Sequence, residues 1–224
     1  MAGGGARVNL EHLGDAFDHW KGAVIGWTRD ELRDLHVLPM FTDEPSQLWT
    51  PEKVRFYARL LGVEPTRVLC GDRPFVNGKS RQEYFIEGGF DLFIDPDIGI
   101  APPSGGDRRH LQITELEKIL PVGGGRVALV YQHSGRRKKN TGAQQGTKRN
   151  AKREEAQYRL NKLCERFPYA FAVWSGEVTM FYVSRSSSRL EELLRIIEKS
   201  LGPCGSRGEE RLRRLLLGNT NGKS

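Results

Sequence analysis

The run Val127-Ala-Leu-Val-Tyr131 constrains the fold more than any other stretch of the chain. It leaves neither side of an extended segment polar, so a strand built from it must be covered on both faces. Gly123-Gly-Gly125 before it and Gln132-His133 after it bound it at strand length. Such a strand belongs in the middle of a sheet with helices above and below, and the rest of the chain has to supply them.

It does so in alternation. Leu10, Leu13, Phe17, Val24 and Ile25 recur at near-helical spacing and predict an N-terminal helix. Leu35 to Phe41 reads as a buried strand, with Pro39 confining it to a strand end or a sheet edge. Thr50-Pro51-Glu52-Lys53 opens a helix, the threonine as cap and the proline in the first turn, with Phe56, Leu60 and Leu61 as its buried face and Gly62 as its end. Arg67 to Cys70 reads as a short strand, and Gly71 to Ser80 as turn, including Asn77-Gly78. Phe90 to Ile94 is apolar around Asp91 and stops at Asp95-Pro96-Asp97. Thr114-Glu-Leu-Glu117 has the pattern of a capping box. A helix over 151–167 carries Ala156, Leu160 and Leu163. Ala170–Trp174 and Val178–Val183 flank Ser175-Gly176-Glu177 as a hairpin, and Leu190, Leu193, Leu194 and Ile197 mark a last helix before Gly202-Pro203. The expectation is an α/β fold: a mostly parallel sheet, helices on both faces, and a C-terminal antiparallel hairpin. Residues 1–8 read as a flexible N-terminus, 9–202 as one domain, 134–153 as a basic loop within it, and 203–224 as a polar tail whose Leu212 and Leu215–Leu217 can fold onto a surface.

Composition narrows the function classes. The chain has 224 residues, 38% hydrophobic and 28% charged, which suits one water-soluble domain with a true core. No apolar run approaches the roughly 20 residues of a membrane helix, and the N-terminus lacks the apolar stretch of a secretory signal. Cys70, Cys164 and Cys204 are odd in number and far apart, which argues against a disulfide framework and a CxxC zinc site and for a cytoplasmic protein. The net charge is +7, yet Ser134 to Arg153 alone holds Arg136, Arg137, Lys138, Lys139, Lys148, Arg149, Lys152 and Arg153 with no acidic residue. The basic excess is therefore one local segment, suited to a phosphate backbone with salt-sensitive affinity.

Ligands of open α/β sheets bind beyond the carboxyl ends of the strands. Three polar groups are expected there: Thr42-Asp43, Asp95-Pro96-Asp97 and Gln132-His133. Asp43, Asp91, Asp95 and Asp97 are candidate ligands for Mg²⁺ or Mn²⁺, because hard cations take carboxylate oxygens, and two such ions can serve a phosphodiester displacement. Asp91, Asp95 and Asp97 share one parity and so one strand face. Asp15 and His19 are one helical turn apart, a spacing that serves either an oriented base or a plain surface contact.

A strand ending in Asp95-Pro96-Asp97, then a helix, a second buried strand, another helix and a closing hairpin resembles the second half of a class I methyltransferase, a Rossmann-like fold. Asp95-Pro96 resembles the first half of the Asp-Pro-Pro-Tyr-type motif of adenine-N6 enzymes. Leu13-Gly14-Asp15-Ala16-Phe17-Asp18-His19-Trp20-Lys21 is similar to the helix before the first strand in 23S ribosomal RNA adenine-N6 methyltransferases, and three-Cys-motif partner proteins give a comparable match. The resemblance implies S-adenosylmethionine as cofactor and a target amine held at Asp95-Pro96-Asp97; the strand-end geometry adds Asp43 and His133 to Asp95 and Asp97 as candidate catalytic residues. Asp97-Ile98 stands where the motif has Pro-Tyr, and Leu38 to Asp43 holds no glycine. The alternatives are a divalent-metal nuclease and a non-catalytic partner subunit in nucleic-acid processing or defence. All three make nucleic acid the expected partner and a membrane none.

Overall fold

The computed structural model describes residues 15–40, 50–69, 89–102, 110–133, 145–201 and 215–217. Helix α1 (Ala16–Thr28) begins under Asp15, whose carboxylate accepts the amides of Phe17 and Asp18. Asp15 thus serves as a cap, and His19 is exposed. Strand β1 (His36–Met40) leads to α2 (Pro51–Leu61), capped by Thr50 and closed by Gly62 in the left-handed region at φ 70°. The buried face of α2 is Tyr57, Ala58 and Leu61, whereas Phe56 and Leu60 are half-buried. The expected face is therefore turned by about one residue. The apolar Phe56-Tyr57 pair offers two registers, and only packing selects between them.

Strand β2 (Leu92–Pro96) is followed by the two-residue strands β3 (Gly99–Ile100) and β4 (His110–Leu111), which pair with each other. Helix α3 (Ile113–Ile119) is capped reciprocally by Gln112 and Glu115, two residues before the Thr114–Glu117 pattern. Strand β5 (Val127–His133) precedes α4 (Gln145–Cys164), and β6 (Tyr169–Trp174) with β7 (Val178–Ser184) forms the hairpin. Helix α5 (Ser187–Leu201) and strand β8 (Leu215–Leu217) complete the described elements. Helix α4 starts six residues ahead of the expected Ala151, so Lys148, Arg149, Lys152 and Arg153 belong to a helix and not to a loop.

The six-stranded sheet has the order β1-β2-β5-β7-β6-β8. β1, β2 and β5 run parallel, while β7 is antiparallel to β5, β6 to β7, and β8 to β6. The fold is α/β with a mixed sheet, parallel in its first three strands. β1 opens the order, a position that tolerates Pro39. Of the expected strand at 67–70, the described part is one bridge, Val37 to Val68, beside a bond from the Leu69 amide to the Val37 carbonyl (2.8 Å).

Alternation divides the core in two. Val37, Phe93, Leu129 and Tyr182 face Val24 and Ile25 of α1, Tyr57 and Leu61 of α2, and Leu193 and Ile197 of α5. Leu38, Met40, Ile94 and Val130 face Leu116 and Ile119 of α3, and Ala156, Leu160 and Leu163 of α4. All five residues of β2 are buried, as double coverage requires. No helix among the described residues is long and apolar enough to cross a membrane.

Candidate functional site

Because β1, β2 and β5 are adjacent and parallel, their carboxyl ends share one edge of the sheet. Asp95 is at that edge on β2 and His133 ends β5 there. His133 is paired with Val178, so the turn between β6 and β7 lies at the same edge. Asp43 falls outside the described residues.

Asp95 faces α1 and α2 and is 1% exposed. Its Oδ2 accepts from Lys21 Nζ at 2.7 Å and from the Tyr57 hydroxyl. Lys21 also donates to Asp18 Oδ1 at 3.0 Å and lies 4.3 Å from the centre of the Tyr131 ring. A lysine between two carboxylates and over an aromatic face compensates its lost hydration in three ways. Burial alone pulls the Lys21 pKa down; the charge of Asp95 and then of Asp18 outweighs it, and the net shift is upward. Burial, reinforced by Asp95, holds the Tyr57 hydroxyl protonated well above the ordinary tyrosine range, so it stays a donor. Burial and Asp95 push Tyr131 the same way. Within this cluster, two buried atoms, Asp95 Oδ1 and the Tyr131 hydroxyl oxygen, have no hydrogen-bond partner among the described residues.

Asp97 is buried in the turn after β2. Gln132 clamps that turn: its Oε1 accepts from the Ile100 amide at 2.7 Å, and its Nε2 donates to the Ile98 carbonyl at 3.0 Å. Gly99 sits there at φ 115°, where an added Cβ would overlap the Gln132 side chain, so only glycine fits. His133 packs edge-on against Phe17 of α1, ring centres 4.8 Å apart.

Asp91 lies at the other end of the sheet. It shares a face with Asp95, as its parity requires, but four residues of strand separate them by roughly 13 Å. Its carboxylate is fully buried and accepts from Arg189 (2.5 Å), the Arg33 amide (2.7 Å) and the Val127 amide (2.7 Å). It staples α5 and the starts of β1 and β5 to β2, and it does not share a site with Asp95. No cluster of three or more His, Cys, Asp or Glu suited to a metal occurs among the described residues.

Of the basic segment, Arg136, Arg137, Lys138 and Lys139 lie outside the described residues. Lys148 and Arg149 are on the first turns of α4. Lys152 is paired with Glu177, in the β6–β7 turn, which pins the early part of α4 at the carboxyl edge. Arg153 follows it on the same helix. Sequence reasoning missed Asp18, Lys21 and Tyr57. The signal for the first two was a charged pair, Asp18 and Lys21, three residues apart beside the apolar Phe17, Val24 and Ile25; Tyr57, on α2, had none. The sequence matches no protein-family model and no curated protein, and the fold matches no solved structure.

Proposed function

We propose that the chain binds nucleic acid, its basic segment holding the phosphate backbone at the carboxyl edge of a methyltransferase-like sheet. The observation that carries this is the Lys152–Glu177 pair. It holds the early turns of α4 against the edge where Asp95 and His133 end, and Arg136 follows the end of β5 by three residues in the sequence. The likeness to class I methyltransferases rests on the succession β2 ending in Asp-Pro, α3, β5, α4 and the β6–β7 hairpin.

The enclosure of Asp95 favours holding a polymer over reacting with it. A carboxylate 1% exposed beneath Lys21 and Tyr57 does not reach a polymer's bases. S-adenosylmethionine, in the family that the chain resembles, needs backbone to approach it after the first strand. Residues 38–49 contain no glycine and so do not fit that approach. Calorimetry with S-adenosylmethionine is expected to give no saturable heat. Saturable binding would restore methyl transfer as the activity.

The direct test is anisotropy with a labelled oligonucleotide across a salt series. Replacing Arg136, Arg137, Lys138 and Lys139 by Gln should weaken binding and flatten the slope of log K against log salt by about 3. An unchanged affinity and slope would reject the assignment.

A further inference from the structure

A cleft of about 220 Å³ opens between the chain after Asp97, the start of α3 and the middle of α4. Its walls are largely apolar: Ile100, Ala101 and Pro102 on one side, Ile113 on another. Tyr158 lines it as well, 47% exposed, an aromatic ring left at the surface of a helix whose Ala156, Leu160 and Leu163 are all buried. Polar groups frame the cleft. Arg159 donates to the Ile100 carbonyl and to Glu155 Oε1 (2.9 Å), so it stands fixed in the wall. Lys162 donates to Glu165 (2.6 Å) and lies 5.8 Å from the centre of the Tyr158 ring.

These features select a ligand. Arg159 and Lys162 are each matched by a glutamate, so the cleft has no uncompensated positive charge and is a poor trap for a phosphate. What it offers is an exposed aromatic ring beside apolar walls. Its volume is below the roughly 300 Å³ of even small drug-sized pockets, which limits the occupant to about one ring system. A nucleobase meets that description, provided it is unpaired and unstacked, because a base inside a duplex presents no free face.

The surroundings then decide between a free base and a base in a strand. Lys152, Glu155, Arg159 and Lys162 follow one another at three, four and three residues, on one side of α4. The cleft thus lies along the same helix as the basic residues, about two turns past Lys152 and Arg153. We propose that it holds an unpaired base of a single-stranded segment, stacked on Tyr158, with the strand's phosphates running along α4 toward Lys148, which the helical period puts on the same side. The proposal rests on the nucleic-acid reading above and adds to it a preference for single strands.

Anisotropy with an oligothymidylate of about 16 nucleotides, its fully abasic counterpart and a duplex separates the two readings. Tyr158→Ala should weaken binding of the oligothymidylate roughly 5- to 100-fold, with an unchanged salt slope because no charge is removed. Tyr158→Phe, which keeps the stacking face, should bind like the parent. The abasic strand should bind parent and Tyr158→Ala alike. Equal affinity of parent and Tyr158→Ala for the oligothymidylate would overturn the base cleft, as would equal affinity of the parent for the base-bearing and abasic strands. If the Arg136–Lys139 variant still loses affinity in those cases, the phosphate contact survives and the cleft alone falls. A parent that binds none of the three overturns both.

Discussion

Replacing Lys21 by Met tests whether the Asp95 cluster is held together by charge. Methionine fills nearly the same volume but removes the cation that Asp95 contacts at 2.7 Å and Asp18 at 3.0 Å. Both lysine and Asp95 side chains are under 10% exposed, at 7% and 2%, so solvent does not screen the pair as it would at a surface. An exposed pair contributes about 0–1 kcal/mol, whereas stripping one partner from a buried pair costs about 3–5 kcal/mol. The expectation is a loss in the second range, a large share of the roughly 5–15 kcal/mol that stabilises a domain. Asp95→Asn alone should cost less, because Lys21 keeps Asp18. In the Lys21→Met background, Asp95→Asn should recover part of the loss, giving a coupling of about 1–3 kcal/mol in a double-mutant cycle. Urea unfolding of the four proteins measures this. A pH series supplies the second arm. The folded Lys21 pKa lies above its ordinary 10.5, so its contribution is complete below that value and fades as pH rises through the raised one. Tyr57 and Tyr131 are raised too and weaken the fold in alkali in the same direction, so the difference between parent and Lys21→Met isolates the lysine. A Lys21→Met variant within about 1 kcal/mol of the parent, with no coupling to Asp95, would refute the reasoning.

The remaining predictions are shorter. Asp91→Ala should destabilise by about 3–5 kcal/mol, because Arg189 loses its buried partner and two backbone amides lose their acceptor, while oligonucleotide affinity of the folded fraction stays at the parent level. A selective loss of binding would place Asp91 in the site after all. Gly99→Ala should cost about 1–3 kcal/mol from its positive φ, more if Gln132 cannot move aside, read as a fall in the midpoint of urea unfolding. Tyr57→Phe should cost about 1.5–3 kcal/mol, as Asp95 keeps only the lysine among its described donors; an unchanged stability would mean the hydroxyl is not bonded to the carboxylate.

Local chemistry made much of the fold legible. The Thr50 cap, the Gly62 stop, the Ser175-Gly176-Glu177 turn and the doubly buried Val127–Tyr131 strand are each decided within a few residues, and each occurs where the chain announces it. Parity likewise placed Asp91 and Asp95 on one face. Where two local solutions compete, the sequence was a weaker guide. Gln112–Glu115 and Thr114–Glu117 both spell a capping box, and the helix takes the earlier one.

The use made of the Asp95 carboxylate was decided only by tertiary structure. The lysine and tyrosine that hold it lie 74 and 38 residues away in sequence, on two different helices. No local period relates them, because the sheet order and the packing of α1 and α2 against it bring them together. The same holds for Asp91, which is tied to Arg189 from 98 residues away. From the sequence alone, the segment from Asp91 to Asp97 is an acidic strand end available to a metal or a substrate. Folded, its first aspartate is a staple and its second is one arm of a buried ion pair, because a charge taken from water must find its partner wherever the fold supplies one.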